Sequence, residues 1–215
     1  MNVRLFEDQV AWIVRHSGAR VLFVDASLTG ALAPLRERMA GVERFVLMED
    51  GGEPAPGFED ALGYEELLGR AQPDESPVRA GEGDALALCY TSGTTGDPKG
   101  VLFSHRSTVL HALSLLMVDN HALSRADTVM PVTAICHVLA WSLPYATALA
   151  GGDLVLQGPS NEPEHLARLI EEERVTKAAA VPTVWVEMER MFDEGGRDLS
   201  SLLELLMEAR PCRAR

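Results

Sequence analysis

The spacing of apolar residues along the chain predicts a regular alternation of helices and strands. Residues 6–16 have apolar side chains three and four positions apart, which is typical of an amphipathic helix. Residues 20–25 and 44–48 are short runs rich in β-branched and aromatic side chains and predict strands, with a helix expected at 27–40 between them. This strand, helix, strand order indicates βαβ units and a mostly parallel sheet.

The same alternation continues to the end of the chain and predicts an α/β fold of mostly parallel sheets flanked by helices. A surface loop at 49–57 and a polar connector at 72–83 interrupt it, because both segments are rich in turn-forming residues. Ser104 is a candidate N-cap, and Pro144 predicts a kink in the helix that contains it. The remaining predicted elements are strands at 84–90, 100–104, 127–132, 153–156 and 177–181, and helices at 58–68, 104–118, 137–149, 162–173 and 182–192.

The charge and cysteine content of the chain indicate which binding partners and which cellular compartment to expect. The formal net charge of −13 argues against a nucleic acid or an anionic membrane surface, because phosphate backbones are bound by clustered Lys and Arg. No run of about 18 apolar residues occurs, so no transmembrane segment is predicted. The start of the chain has no signal-peptide pattern, and its three cysteines are far apart. We therefore expect a cytoplasmic protein with unpaired thiols.

The segment from Tyr90 to Gly100 has the composition of a phosphate-binding loop. It contains three glycines, four Ser or Thr hydroxyls and Lys99, and it follows a predicted buried strand. Exposed backbone amides, hydroxyls and one mobile cation are the groups that hold a polyphosphate. The spacing excludes both the Walker loop and the dinucleotide fingerprint, because Gly93 and Gly96 are three apart and Gly100 follows Lys99. A simple flexible turn is the alternative interpretation.

The same segment carries a family resemblance. Residues 90–101, Tyr-Thr-Ser-Gly-Thr-Thr-Gly-Asp-Pro-Lys-Gly-Val, with Ser104-His105 after them, resemble the AMP-binding signature of the adenylate-forming enzymes. These include acyl-CoA synthetases, peptide-synthetase adenylation domains and luciferases. The resemblance covers roughly residues 1–200. Within the superfamily, Ile-Cys-His-Val-Leu-Ala-Trp at 135–141 is similar to the second core motif of medium- and long-chain fatty acyl-CoA ligases, which usually have Phe in place of Cys136.

The resemblance implies site residues and ligands. Its implied ligands are ATP, Mg²⁺, coenzyme A and a fatty or other small carboxylic acid. Thr91 is expected to lie at the Mg²⁺-bound phosphates, and Lys99 to support the departing pyrophosphate. His137, Val138 and Trp141 are expected to line the acyl and adenylate pocket, with ordinary core positions as the alternative for His137 and Trp141. The residues assigned to the ATP phosphates are Thr91, Ser92, Gly93, Thr94, Thr95, Gly96 and Lys99.

The resemblance also implies a two-step reaction that these 215 residues do not complete. In the family, a carboxylate attacks ATP to give an acyl-adenylate and pyrophosphate, and the thiol of coenzyme A then displaces AMP. The 215 residues contain no Tyr-Gly-x-Thr-Glu motif for adenine and Mg²⁺, and no C-terminal lid domain. We therefore expect a partial N-terminal domain over 1–200, a divergent disordered tail over 201–215, and no complete catalytic set.

Three hypotheses follow for the function of such a chain. It belongs to a fatty acid–CoA ligase, is inactive alone and acts with the missing remainder of the enzyme or as a homo-oligomer. It is a non-catalytic remnant or interaction module that retains part of the fold. It is an adenylating enzyme for another carboxylate.

Overall fold

The computed structural model describes residues 1–2, 5–48, 56–77, 79–91, 96–194 and 197–207, with the backbone alone at 190–194. These residues form two compact units. The amino-terminal unit is Val3–Ala80 with Tyr90–Val101, and the carboxyl-terminal unit is Met1–Asn2, Gly81–Cys89 and Leu102–Arg215. The sequence predicts one partial domain over 1–200, and the carboxyl-terminal unit extends past that range.

The amino-terminal unit is a three-stranded parallel sheet with helices packed on it. Strand β1 pairs with β2, and β2 pairs with β3, so β2 lies in the centre. Its core includes Val14, Val24, Leu47 and the edge-to-face pair of Phe45 and Phe58. The elements are α1 (Glu7–Ser17), β1 (Val21–Asp25), α2 (Thr29–Leu32), β2 (Arg44–Met48), β3 (Leu62–Gly63) and α3 (Tyr64–Arg70).

Helix α1 forms where its apolar spacing predicts it. Val10, Ala11, Ile13 and Val14 are its buried residues. Two acidic residues in the first turn and two basic ones in the last complement the helix dipole. The helix ends at Ser17, and Gly18 caps it with a φ of 67°, the left-handed conformation that glycine adopts without a steric penalty.

Two predicted helices in this unit are corrected. In place of one helix at 27–40, α2 lies between 3₁₀ segments at Ala26–Leu28 and Ala33–Met39. The second segment has Pro34 in its first turn, and proline has no N–H with which to continue an α-helix. The helix predicted at 58–68 begins only at Tyr64, because Leu62 and Gly63 pair with β2.

The carboxyl-terminal unit contains a four-stranded parallel sheet in the order β7-β6-β8-β9. Its strands are β6 (Thr128–Pro131), β7 (Asp153–Leu154), β8 (Lys177–Ala180) and β9 (Glu204–Met207). Its helical segments are α4 (His105–Leu116), α5 (Val138–Trp141), α6 (Leu143–Ala150), α7 (Pro163–Glu172) and α8 (Pro182–Glu194). The predicted fold class, α/β with mostly parallel sheets, is confirmed.

Strand β8 is buried on both sides and separates two cores. Ala178 and Ala180 belong to a core with Met130 and Trp185. Ala179 belongs to the other core, with Leu206 of β9 and residues of α4, α6 and β6. The alternation follows from the two-residue period of a strand, which directs successive side chains to opposite faces.

Strands β4 (Ala85–Thr91) and β5 (Lys99–Ser104) pair with each other and carry the glycine-rich segment between them. Ser104 caps α4 as predicted, because its Oγ accepts a 3.1 Å hydrogen bond from the amide of Ser107.

The end of the described chain differs from the disordered tail expected over 201–215. Glu204–Met207 forms β9 and pairs in register with β8, from Glu204 opposite Lys177 to Met207 opposite Ala180. Residues 208–215 lie outside the described residues. Within the described part of the chain, no helix is both long and apolar enough to cross a bilayer.

Candidate functional site

The glycine-rich segment begins at the end of β4 and ends at the start of β5. Thr91 and Lys99 face each other at its base, where the Thr91 hydroxyl donates a 3.5 Å hydrogen bond to the Lys99 carbonyl. Gly96 has a φ of +112°, which glycine adopts without a steric penalty and residues with a Cβ rarely adopt. Ser92, Gly93, Thr94 and Thr95, all assigned to ATP phosphates, lie outside the described residues.

The described part of this segment fits a phosphate group. The side chain of Lys99 is exposed, and its ammonium has no ion-pair partner among the residues that the structure describes. Pro98 beside it is fully buried and fixes the chain at this point. A cation that is unpaired among the described residues and lies three residues after a glycine with positive φ is suited to a polyphosphate.

A magnesium ion at this site would depend on the phosphates themselves. The described residues contain no group of three His, Cys, Asp or Glu side chains that could hold a metal. Mg²⁺ in nucleotide sites is commonly held by substrate phosphates, water and one or two protein oxygens. The Thr91 hydroxyl is therefore the candidate protein oxygen in the described part of the loop.

An aromatic cluster in the same unit holds the residue at the start of the loop. The Tyr90 hydroxyl lies 2.8 Å from Nδ1 of His16 on α1. Trp12 stacks on the His16 ring with 4.3 Å between centroids and meets Tyr90 edge-on at 6.0 Å. Burial raises the pKa of Tyr90, so the phenol stays protonated and able to donate. No local sequence pattern indicates this contact, because 74 positions separate its two residues.

The segment with His137, Val138 and Trp141 does not begin the single helix that the sequence predicts at 137–149. A left-handed turn occupies its first part, and α6 begins only at Leu143. The φ angles are 49°, 54°, 48°, 55° and 59° at Val138, Leu139, Ala140, Trp141 and Ser142. Each L-residue in this conformation costs about 1–2 kcal/mol, and a β-branched residue such as Val138 is rare there.

Pro144 explains why a continuous helix cannot form. In a helix through 137–149 its ring would clash with the carbonyl of Ala140, and the bond to that carbonyl would be lost. Proline is tolerated in the first turn of a helix, and Pro144 lies there in α6. The predicted kink is therefore replaced by a separate turn of opposite hand.

The turn is anchored on one side and open on the other. Leu139, Ala140 and Ser142 are buried, whereas Val138 is 38% exposed and Trp141 is half-buried against the core with α4 and α6. Ser142 Oγ lies 3.1 Å from Nδ1 of His111 on α4.

His137 precedes the turn and is exposed. Its backbone amide donates to Ala134, and its carbonyl accepts from the amide of Ala140. Its ring makes no hydrogen bond within the described residues, so it is not a core histidine satisfied by neighbouring groups. The exposed ring and Val138 are therefore available to a ligand.

The structure places the predicted site residues in two groups. Thr91, Gly96 and Lys99 belong to the amino-terminal unit, and His137, Val138 and Trp141 to the carboxyl-terminal unit. Within each unit, the residues of a group lie on one short segment. Their assignment to particular ligands stays a prediction.

A partly buried charge network joins Lys177 on β8, Glu204 on β9 and His121, which follows α4. Lys177 Nζ lies 3.0 Å from Glu204 Oε2 and donates to the His121 carbonyl at 2.7 Å. His121 Nδ1 lies 2.9 Å from the other oxygen of Glu204. Burial alone would raise the pKa of Glu204, but the hydrogen bonds with His121 and Lys177 outweigh it and leave this pKa below its usual value.

Comparison with known proteins gives the family. The family model described as AMP-binding enzyme matches residues 1–215. The chain is 42% identical over 206 residues to a long-chain-fatty-acid–CoA ligase of Thermus thermophilus. This match covers 96% of this chain and 37% of that protein. It is also 42% identical over 217 residues to a 3-methylmercaptopropionyl-CoA ligase of Ruegeria lacuscaerulensis, covering 99% and 40%.

Solved structures agree with these sequence matches. The inhibitor-bound N-terminal domain of FACL13 from Mycobacterium tuberculosis superposes with a TM-score of 0.79 at 26% identity, covering 96% of this chain and 49% of that one. The chain thus spans about two fifths of the length of the curated relatives it matches. From the full-length family match and these identities, the chain belongs to the AMP-binding enzyme family.

Proposed function

We propose that this chain forms part of an ATP-dependent fatty acid–CoA ligase and that its glycine-rich segment holds the phosphates of ATP. The observation that carries the proposal is the exposed Lys99 ammonium, which has no ion-pair partner among the described residues and follows Gly96 at φ +112°. In the carboxyl-terminal unit, exposed His137 and Val138 are assigned to the acyl and adenylate pocket. The name of the Thermus thermophilus relative supports the fatty acid.

The role of Lys99 follows from where charge develops. When a carboxylate attacks the α-phosphate, negative charge accumulates on the leaving pyrophosphate, and a fixed cation stabilises that charge. The Thr91 hydroxyl offers an oxygen at the same phosphates. Bound Mg²⁺ would supply further charge neutralisation there. Coenzyme A is the acceptor of the acyl group in the second step.

The acyl chain is assigned to the open side of the left-handed turn. Val138 and Trp141 are apolar and partly accessible, as a wall for an aliphatic chain requires. His137 precedes them on the same segment and is exposed, so it is assigned to the same pocket.

We further propose that the 215 residues are inactive by themselves and act in the cytoplasm with the rest of a ligase or as a homo-oligomer. Two facts support this: the chain spans about two fifths of its relatives, and it contains no Tyr-Gly-x-Thr-Glu motif. A non-catalytic remnant or interaction module is the alternative.

A second candidate substrate has its own support. Identity to the 3-methylmercaptopropionyl-CoA ligase of Ruegeria lacuscaerulensis equals that to the Thermus thermophilus protein, at 42%. A short thioether carboxylate is therefore the competing acid at the same site.

Phosphate binding can be tested on the chain as it stands. The sequence has two lysines, exposed Lys99 and buried Lys177. Reductive methylation with ¹³C-formaldehyde keeps the charge of an amine and makes it visible by NMR. Pyrophosphate with Mg²⁺ should shift the Lys99 signal saturably and leave those of Lys177 and the terminal amine unchanged. An unmoved Lys99 signal at millimolar pyrophosphate would overturn the phosphate assignment.

Ligase function can be tested by exchanging segments. These residues would replace the matching 206-residue region of the Thermus thermophilus ligase. Carboxylate-dependent exchange of pyrophosphate into ATP should appear in the chimaera and be absent from the 215 residues alone. A folded but inactive chimaera favours the remnant, and exchange by the isolated chain contradicts its proposed inactivity.

Substitutions in the same chimaera separate the remaining alternatives. Lys99→Ala should slow exchange by about 10²-fold or more, and Lys99→Arg, which keeps the charge, should slow it less. Comparison of decanoate with 3-methylmercaptopropionate then decides between the two acids.

A further inference from the structure

We propose that His111 and Ser142 are positioning residues that hold the left-handed turn at 138–142 and so fix the directions of Val138 and Trp141 toward the acyl chain. The part of this inference that concerns the acyl chain rests on the proposed function. The part that concerns the turn rests on geometry alone.

The turn needs an external restraint because its own backbone disfavours it. Five consecutive residues without a glycine have φ between 48° and 59°. Their hydrogen bonds, such as the 3.0 Å bond from the Ser142 amide to the Leu139 carbonyl, are local and few. A disfavoured conformation persists only where surrounding structure determines it, and such segments are concentrated at ligand sites.

Burial supplies one restraint. Ala140 is fully buried, and Leu139 and Leu143 are nearly so. Their positions fix the inner side of the turn in the core. Burial does not fix the outer side, where Val138 is partly exposed.

The hydrogen bond of Ser142 supplies the second restraint. Ser142 is the last residue of the turn and the N-cap of α6, where its carbonyl accepts from the amide of Ala146. Its Oγ lies 3.1 Å from Nδ1 of His111. The bond ties the end of the turn to α4, which packs against α6. Trp141 directly precedes this anchor and packs on the same core, so the orientation of its indole depends on it.

The functional consequence is preorganisation. A wall whose side chains are already fixed loses less conformational entropy when an apolar chain binds it. Release of Ser142 should therefore let Trp141 occupy more than one orientation and weaken acyl binding without changing the residues that contact the acid.

Fluorine NMR of the 215-residue chain labelled with 5-fluorotryptophan tests the positioning role without any ligand. The chain has three tryptophans, Trp12, Trp141 and Trp185, which Trp→Phe variants assign. Ser142→Ala and His111→Leu should split, shift or broaden the Trp141 resonance. The resonances of Trp12 and Trp185 should stay in place and show that the fold is intact.

Two matched variants control the interpretation. His111→Asn keeps a polar atom at the position of Nδ1 and should retain the wild-type Trp141 resonance. Ser201→Ala removes another buried hydroxyl, one that makes no hydrogen bond within the described residues, and should also leave it unchanged. An unchanged Trp141 resonance in Ser142→Ala and His111→Leu overturns the inference.

A further variant keeps the test decisive if Ser142→Ala fails to fold. Ser142→Gly removes the hydroxyl but tolerates a φ of 59° without strain. It should fold and still broaden the Trp141 resonance. A sharp, unshifted resonance in this variant also overturns the inference.

Titration with decanoate separates this inference from the proposed function. Ser142→Ala should raise the dissociation constant about tenfold, which corresponds to about 1.4 kcal/mol. If decanoate does not shift the Trp141 resonance of the wild-type chain, the acyl pocket is contradicted. The comparison of variants without ligand still decides whether His111 and Ser142 position the turn.

Discussion

Lys177 and Glu204 lie directly opposite each other on neighbouring parallel strands, with 3.0 Å between Nζ and Oε2. The Lys177 side chain is 11% exposed and that of Glu204 is 33% exposed. His121 contacts both, through its carbonyl to Lys177 and its ring to Glu204. The three residues therefore form one network, in which the removal of any member leaves a polar partner unsatisfied.

Glu204→Gln should lower the free energy of unfolding by about 2 kcal/mol, because the buried Lys177 ammonium loses its counter-charge. The double variant Lys177→Met with Glu204→Leu should recover most of this loss, since no charge stays buried. Glu172→Gln removes a more exposed ion pair with Arg168 and should cost less than about 0.5 kcal/mol. Urea denaturation measures all three. A Glu204→Gln loss no larger than that of Glu172→Gln would contradict the network.

The pH dependence of stability should differ between wild type and Glu204→Gln. The pKa of Glu204 is lowered in the folded state, so its contribution is fully present above the unfolded value of about 4.3 and is lost as pH falls through the folded pKa. The difference in unfolding free energy between the two proteins should shrink as the pH falls below about 4.3. A difference that grows as the pH falls below about 4.3 has the wrong sign for this mechanism.

Ala→Gly substitutions at two buried positions should have unequal effects. At Ala140, relief of a φ of 48° offsets the lost methyl group and the greater freedom of the unfolded chain, so the net change should be near zero. At Ala146, inside α6, the same substitution should cost about 2 kcal/mol.

The two alanines are a matched pair, since both have an exposed fraction of 0%. Thermal or urea unfolding of the two variants measures the contrast. Equal losses at the two positions would show that the turn at Ala140 is not left-handed in solution.

The contact between His16 and Tyr90 should give a measurable coupling energy. A double-mutant cycle with His16→Phe and Tyr90→Phe keeps the rings and removes the 2.8 Å hydrogen bond. The coupling should be about 1 kcal/mol. Tyr64→Phe is the control, because the Tyr64 hydroxyl makes no hydrogen bond within the described residues. A coupling indistinguishable from zero removes His16 from its role at the start of the loop.

Elements whose residue preferences and apolar spacing agree could be predicted closely. The strand expected at 44–48 is β2 without change, and the helix expected at 162–173 is α7 within one residue at each end. The parallel α/β class follows from their alternation. The loop after β4 could be found because its glycine and hydroxyl composition is local in sequence.

Other features have no local signal. The turn at 138–142 contains no glycine, so nothing in its composition indicates positive φ, and Pro144 alone suggested a break nearby. The pair of Lys177 and Glu204 joins residues 27 positions apart, and single-sequence periodicity carries no information on such contacts. Nothing in the local sequence indicates that Lys177 is buried, because its partner Glu204 lies on the distant strand β9.

Because β8 has only alanine side chains at 178–180, little more than its backbone separates the two cores. Ala178 and Ala180 face one core and Ala179 the other, and each has almost no exposed surface. The bulk of each core is therefore supplied by larger residues from neighbouring elements, such as Met130 on one side and Leu206 on the other. Volume added at Ala179 would strain one layer and volume added at Ala178 the other, so the two halves of this unit can be altered independently through adjacent residues.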